Sequence, residues 1–94
     1  MLKRRVSKDA ERAMDKMPDK QFCQIYDAIE SLRTHPEPAD SKELKSNAPP
    51  SRRRKDCGEY RIIYWYDDEA LYVDVVGKRN DDAVYKIAKR KGLI

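Results

Sequence analysis

Apolar side chains recur along this chain at two different spacings, and the change between them falls near the middle. In the first half they recur every three or four residues. The longest such stripe comprises Phe22, Ile25, Tyr26, Ile29 and Leu32. This spacing predicts an amphipathic helix whose apolar side faces the core. We expect the helix to start at Pro18, which suits a first turn, and to end before Pro36.

A shorter helix is predicted ahead of this one. Ser7 is a typical helix cap, and Asp9 and Glu11 favour the amino-terminal end of a helix. Small and sulfur-containing apolar residues follow at helical spacing, which predicts a helix over about residues 8–17. We expect the basic segment 2–6 to pair as a short strand.

The second half alternates with a period of two, which is typical of strands. Residues 60–66 read Tyr-Arg-Ile-Ile-Tyr-Trp-Tyr, and the acidic residues 67–69 then predict a turn. Apolar residues alternate again over 71–76, and Gly77 is expected to end this second arm of a hairpin. A last helix is predicted over about 81–91, with Asp81 and Asp82 favouring its start and basic residues its end.

The connecting segment 35–50 contains four of the five prolines, so it is predicted to be a loop. Residues 41–44 could form one helical turn within it. A chain of 94 residues is long enough for one core and too short for two. We therefore expect a single α+β domain over residues 1–94, in the order strand, helix, helix, three strands, helix.

The positive charge is concentrated in one window, and this distribution says more than the formal net charge of +4. Six basic residues against one acid, Glu43, give the window 42–55 a net +5. The six are Lys42, Lys45, Arg52, Arg53, Arg54 and Lys55. Such a run is typical of a surface that binds nucleic acid.

Several kinds of catalytic site are disfavoured by the residues present. Cys23 and Cys57 lack the spacing of a zinc site and are expected to be reduced, as in a cytoplasmic protein. The single histidine, His35, is expected in a solvated loop. The acids 67–69 and 81–82 are expected in a turn and at a helix start, so we expect no metal and no other cofactor. No apolar run is long enough for a membrane span.

Arg61 is unusual because it lies inside an apolar and aromatic strand, where a guanidinium needs a partner. Two partners remain open at this point. One is Asp74 on the neighbouring arm, and the other is a phosphate, which arginine holds with two parallel hydrogen bonds. Several arginines around one phosphodiester can stabilise the charge of a pentacoordinate transition state without a metal.

Three motifs carry a resemblance to a known family. They are Gly58-Glu59-Tyr60-Arg61-Ile62-Ile63-Tyr64, Val76-Gly77-Lys78-Arg79 and Val84-Tyr85. Together they resemble the RelE family of the RelE/ParE superfamily, ribosome-dependent messenger-RNA interferases that are toxins of type II toxin-antitoxin systems. The resemblance covers roughly residues 42–90. It implies a small α+β fold with an antiparallel sheet, two amino-terminal helices on one face, a carboxy-terminal helix, and a basic face left for RNA.

The resemblance also implies roles for particular residues. Arg61 and Arg79 would contact the scissile phosphate, and Tyr85 would orient or stack on the attacked nucleotide. The family's two alternating basic residues fall on Arg52 and Arg54, and Arg54 would stabilise charge in catalysis. RNA and ribosome contacts are expected from Lys42, Lys45, Arg52, Arg53, Lys55 and Lys78. The implied partners are the ribosome, messenger RNA and a cognate antitoxin.

The proton acceptor is left open, because arginine essentially cannot lose a proton. Lys55 would serve if the strand register slipped by one residue, but the period of two would then turn its side chain to the face opposite Arg52 and Arg54. Glu59 is expected to face water in a turn. We favour Tyr85, whose phenol would lie among positive charges.

Two other functions are compatible with the sequence. A ParE-like toxin would share the scaffold and inhibit DNA gyrase by protein binding, although Arg79 and Tyr85 argue against it. A non-catalytic RNA-binding or ribosome-associated protein would use the arginines for affinity alone.

Overall fold

The computed structural model describes residues 1–45 and 49–94, with only the backbone of Asp81. Its elements are β1 (Lys3–Val6), α1 (Lys8–Asp15), α2 (Asp19–Thr34), β2 (Ser41–Glu43), β3 (Arg53–Cys57), β4 (Tyr60–Tyr66), β5 (Ala70–Lys78), a short 3-10 turn (Asn80–Asp82) and α3 (Ala83–Arg90). The predicted α+β class is confirmed. In these ranges, no helix has both the length and the apolar character needed to cross a membrane.

The five strands form one sheet in the order β1-β5-β4-β3-β2. The other neighbours pair antiparallel, as expected, but β1 runs parallel to β5, so the sheet is mixed. Two helices separate β1 from the rest of the sheet, and such a connection allows a parallel pairing that a tight hairpin does not.

The segment around residues 41–44 is a strand rather than the helical turn considered from the sequence. Ser41, Lys42 and Glu43 pair antiparallel with residues 53–55 and extend the sheet at its edge. The Arg53 guanidinium donates to the Ser41 hydroxyl at 2.9 Å. The ladder to β3 satisfies the backbone of this short segment, and a sequence pattern shows nothing of that partner.

The first helices begin close to their predicted positions. The Ser7 hydroxyl accepts a hydrogen bond from the Ala10 amide at 3.1 Å, which confirms Ser7 as the cap of α1. In α2 the stripe buries Ile25, Ile29 and Leu32. Tyr26, expected in the core, is instead 38% exposed and lies beneath the Arg4 guanidinium.

The sheet carries a helical layer on each face. Helices α1 and α2 cover one face, where the larger core forms. This core comprises Ala10, Met14, Ile25, Ile29, Leu32, Ile62, Tyr64, Leu71, Val73 and Val76. Helix α3 packs on the opposite face, where Val84 and Ala88 contact Ile63 and Val75. The face expected to be left open for RNA is therefore partly covered.

Gly77 does not end its strand, as the sequence pattern had indicated. It pairs with Arg61 inside the sheet, and β5 continues to Lys78. A Cβ at Gly77 would lie 3.4 Å from Val84, so the glycine allows α3 to approach the sheet. The last helix starts later than predicted, because Asp82 has a left-handed φ of 54° and makes no side-chain cap.

Tyr64→Phe is expected to lower the free energy of unfolding by about 1 kcal/mol. The Tyr64 ring is fully buried, and its hydroxyl donates to the Pro36 carbonyl at 2.7 Å. The substitution removes this hydroxyl and leaves the Pro36 carbonyl without its donor. Urea denaturation measures the loss. Tyr72→Phe is the matched control, since its hydroxyl bond to Asp67 is exposed and its removal should leave the midpoint unchanged. Equal effects of the two substitutions would contradict a stabilising role for the hydrogen bond between Tyr64 and Pro36.

Candidate phosphate-binding site

A two-residue hairpin turn determines which side chains meet at the candidate site. Gly58 adopts a φ of 59°, a left-handed conformation that suits glycine, and Gly58 and Glu59 connect β3 to β4. Cys57 therefore pairs with Tyr60, and Asp56 pairs with Arg61. Because paired residues point to the same face, the Asp56 carboxylate lies directly beside the Arg61 guanidinium.

Asp56 and Arg61 form a two-pronged ion pair. Arg61 Nε donates to Asp56 Oδ1 at 2.6 Å, and Arg61 Nη2 donates to Asp56 Oδ2 at 3.2 Å. The Arg61 side chain is only 13% exposed. These hydrogen bonds lower the pKa of Asp56 and raise that of Arg61. Both groups are therefore charged at neutral pH.

Two further arginines reach the same carboxylate. Arg54 Nη1 lies 3.4 Å and Arg79 Nη1 3.5 Å from Asp56 Oδ2. Arg54 lies on β3 two residues before Asp56, so its side chain points to the same face. Arg79 directly follows β5, and its amide donates to the Glu59 carbonyl at 2.9 Å. Three guanidinium groups thus surround one carboxylate, and the local charge of these four groups is +2.

Tyr85 completes the group from the other side. It lies on α3, and the centre of the Arg61 guanidinium is 5.0 Å from the centroid of its ring, a cation–π contact. The four residues predicted as catalytic are Arg54, Arg61, Arg79 and Tyr85, and the structure brings them together. We call these four residues and Asp56 the arginine cluster.

Arg52 lies outside the arginine cluster, although it shares a face with Arg54. Its Nε is 3.2 Å from Asp74 Oδ2, and its guanidinium lies 5.8 Å from the Trp65 ring centroid. Asp74 therefore pairs with Arg52, and the expected alternative of an Arg61–Asp74 pair is wrong. Asp74 is the extra residue of a bulge in β5, three positions from Gly77, which faces Arg61. Burial raises the pKa of Asp74.

Arg53 and Lys55 point to the opposite face of β3 and are paired there. Arg53 contacts Ser41 and lies 3.8 Å from Glu37, and Lys55 forms an ion pair with Asp40. These two members of the basic run contribute to the packing of the 37–41 segment and not to the arginine cluster. In residues 1–45 and 49–94 we find no ion pair for three other predicted RNA contacts, which are exposed: Lys42, Lys45 and Lys78.

Asp56 is the site residue that sequence reasoning missed. A signal for it was present, because a tight turn at Gly58-Glu59 places the residues two before and two after it opposite each other. Counting outward from that turn pairs Asp56 with Arg61. Across the described part of the chain, no group of three or more histidine, cysteine, aspartate or glutamate residues is arranged to hold a metal ion.

Comparison with known families assigns the chain to a class. Residues 1–83 match the family model described as ParE toxin of type II toxin-antitoxin system, parDE. The protein is therefore a toxin of the type II toxin-antitoxin class. The chain belongs to the ParE toxin family, within the RelE/ParE superfamily. No curated protein sequence gives a significant match.

Solved structures of RelE toxins share the fold. The toxin of the archaeal RelE-RelB complex from Pyrococcus horikoshii superposes with a TM-score of 0.74 at 19% identity, covering 85% of this chain and 97% of that one. The isolated Escherichia coli RelE toxin gives a TM-score of 0.70 at 20% identity, covering 97% and 98%. The RelBE2 complex from Mycobacterium tuberculosis gives 0.70 at 21% identity, covering 83% and 98%.

The Asp56 ion pairs should make stability depend on acid pH. Because the folded-state pKa of Asp56 is lowered, its stabilising contribution is present above the ordinary carboxyl value, about 3.9, and is lost as the pH falls through the folded pKa. Asp56→Asn is expected to be less stable than the parent at neutral pH. The difference should shrink below about pH 4.

Denaturant titrations between pH 7 and pH 3 measure this difference. Asp68→Asn is the control, since Asp68 is exposed in the 67–69 turn and has no ion pair in the described chain. A difference for Asp56→Asn that stays constant with pH would show that the ion pairs do not stabilise the fold.

Proposed function

We propose that this toxin is a metal-independent, ribosome-dependent endoribonuclease that cleaves messenger RNA and so inhibits translation. The observation that carries the proposal is the convergence of Arg54, Arg61, Arg79 and Tyr85 at one end of one sheet face. Their guanidinium groups already hold an anion, the Asp56 carboxylate. A phosphodiester offers the same kind of charged oxygen to the guanidinium donors that Asp56 leaves unused.

The arginine cluster retains hydrogen-bond donors for a substrate. A guanidinium has five N–H groups, and Arg61 uses two of them on Asp56, which leaves three. Arg54 and Arg79 make longer single contacts, and the Arg79 side chain is 53% exposed. Arg61 is therefore the fixed anchor of the cluster, while Arg79 is free to turn towards an RNA phosphate.

These residues support cleavage by attack of the neighbouring 2'-hydroxyl on the phosphate. The arginines would stabilise the extra negative charge of the pentacoordinate transition state. Tyr85 would support Arg61 and orient the nucleotide from its position on α3. The products would be a 2',3'-cyclic phosphate and a free 5'-hydroxyl. A site of this kind gains from a substrate positioned by the ribosome.

An antitoxin is the expected protein partner. Two of the similar structures are toxin-antitoxin complexes, RelE-RelB and RelBE2. For this chain we propose a small cognate antitoxin with acidic segments that complement the exposed cations. Such segments commonly fold as they bind.

Inhibition of DNA gyrase by protein binding is the second candidate. The family model that matches the chain is that of ParE toxins. In addition, the three arginines of the cluster are paired with Asp56, and this pairing lowers the net charge available to RNA. Brief expression followed by mapping of messenger-RNA 5' ends distinguishes the two. Codon-positioned cuts support the nuclease, and DNA damage without such cuts supports gyrase inhibition.

Arg61→Ala and Arg79→Ala are each expected to slow single-turnover cleavage on programmed ribosomes by about 10²–10³-fold, because each loses one contact to the transition state. Ribosome binding should change little. Arg12→Ala is the matched control, since Arg12 is exposed on α1. An Arg79→Ala variant that lost affinity and rate in equal measure would assign Arg79 to docking alone.

Affinity for the ribosome is expected to fall steeply with ionic strength, because exposed cations displace counterions from ribosomal RNA. The exposed residues Lys42 and Lys45 should contribute, so a Lys42→Glu, Lys45→Glu double variant should bind more weakly and show a shallower salt dependence. Equilibrium binding between 50 and about 200 mM salt measures both. Lys16→Glu with Lys20→Glu makes the same charge change on the helical side. Equal losses in the two double variants would contradict a specific docking role.

A further inference from the structure

We infer that the Asp56 carboxylate is the proton acceptor for the attacking 2'-hydroxyl. The inference rests on the proposed nuclease function and assigns a role that the sequence had left between Lys55, Glu59 and Tyr85. Asp56 lies at the centre of the arginine cluster, and 31% of its side chain is exposed.

The other candidates are less well placed. Lys55 points to the opposite face of β3 and is paired with Asp40. Glu59 lies in the exposed hairpin turn and borders a cavity with Lys78 and Arg79. The Tyr85 ring lies against the Arg61 guanidinium, which suits a role as its support. The arginines cannot give up a proton at neutral pH.

The hydrogen bonds of Arg61 favour binding of a phosphate beside Asp56, because two of the guanidinium donors are already occupied by the carboxylate. Nε and Nη2 of Arg61 are held by the carboxylate, so the donors left for RNA are on the remaining part of the same planar guanidinium. Arg54 and Arg79 approach Asp56 Oδ2, and a phosphate that they share with Arg61 would border that oxygen. The attacking 2'-hydroxyl is on the ribose carbon next to the one that carries this phosphate, so a phosphate bound there would bring the hydroxyl close to the carboxylate.

The charges around Asp56 keep it ionised and ready to accept a proton. The three arginines lower its pKa, with Arg61 as the main cause. A bound phosphate would share these arginines and add negative charge, and both changes would raise the pKa of Asp56 towards the working pH. The charged or titratable groups that face it or its arginines are Arg54, Arg61, Arg79, Asp40, Asp82, Glu59 and Tyr85.

An Asp56 oxygen takes the proton of the 2'-hydroxyl as the 2'-oxygen forms a bond to phosphorus. The bond from phosphorus to the 5'-oxygen breaks, and the departing 5'-oxygen takes a proton from water. Asp56 then returns its proton to solvent. No electron is transferred to or from a further reagent.

The test is single-turnover cleavage of messenger RNA on programmed ribosomes over a range of pH, with the intact toxin. Asp56→Asn is expected to slow cleavage by about 10²–10⁴-fold while binding to the ribosome stays within threefold. The parent rate should rise with pH and level off, and Asp56→Asn should instead keep rising with pH, because hydroxide then replaces the carboxylate. Asp68→Asn is the matched control and should behave as the parent, because Asp68 is exposed in the 67–69 turn and has no ion pair in the described chain.

Asp56→Glu keeps the charge and is the second variant in case Asp56→Asn folds poorly. Asp56→Glu should retain measurable cleavage, and the pH range over which its cleavage rate rises should differ from that of the parent. Circular dichroism checks the fold of each variant. A role confined to positioning the arginines would slow Asp56→Asn by the same factor at every pH, and this result would overturn the inference. Loss of cleavage in Tyr85→Phe with near-parental Asp56→Asn would assign the base to Tyr85.

Failure of the inference is distinguishable from failure of the proposed function. If the parent cuts messenger RNA, Arg79→Ala does not and Asp56→Asn cuts at the parental rate, the nuclease stands and the role of Asp56 is refuted. If the parent makes no cut on programmed ribosomes, both are refuted.

Discussion

The ion pair between Asp56 and Arg61 is the interaction on which the arrangement of the site depends. A guanidinium in an otherwise apolar strand requires a counter-charge, and Asp56 supplies it across the hairpin with two hydrogen bonds. The same carboxylate draws in Arg54 and Arg79 from two other parts of the chain. Three like charges that would otherwise repel one another are thus held close together.

A bulge in β5 separates this cluster from a second, structural charge pair. Asp74 is the inserted residue, and its carboxylate holds Arg52 while its carbonyl accepts a hydrogen bond from the Ser7 hydroxyl at 2.8 Å. Bulges commonly redirect side chains in this way. Asp74 and Asp56 therefore differ in their contacts: Asp74 binds Arg52 and the residue that caps α1, whereas Asp56 binds the three arginines of the cluster.

The basic residues 52–55 point alternately to the two faces of the sheet, because successive side chains of a strand face opposite ways. Arg53 and Lys55 face the loop that precedes β2 and stabilise it, whereas Arg54 faces the arginine cluster. A concentration of positive charge in a sequence therefore overstates the charge offered to a nucleic acid. Lys42 on β2 and Lys78 at the end of β5 are exposed and have no ion pair in the described residues, so they are the cations that the proposed docking would use.

The sequence by itself determined the α+β class, the approximate limits of α1 and α2 and the hairpin, because local spacing encodes these features. The family resemblance singled out Arg54, Arg61, Arg79 and Tyr85 as the predicted site, and the structure brings these four residues together. Only the tertiary structure decided that β1 pairs in parallel, that residues 41–43 form an edge strand and that α3 covers part of the second face. It also decided the partner of Arg61. Pairing across strands depends on register, and one bulge moved Asp74 out of reach, while the Gly58-Glu59 turn aligned Asp56 with the guanidinium.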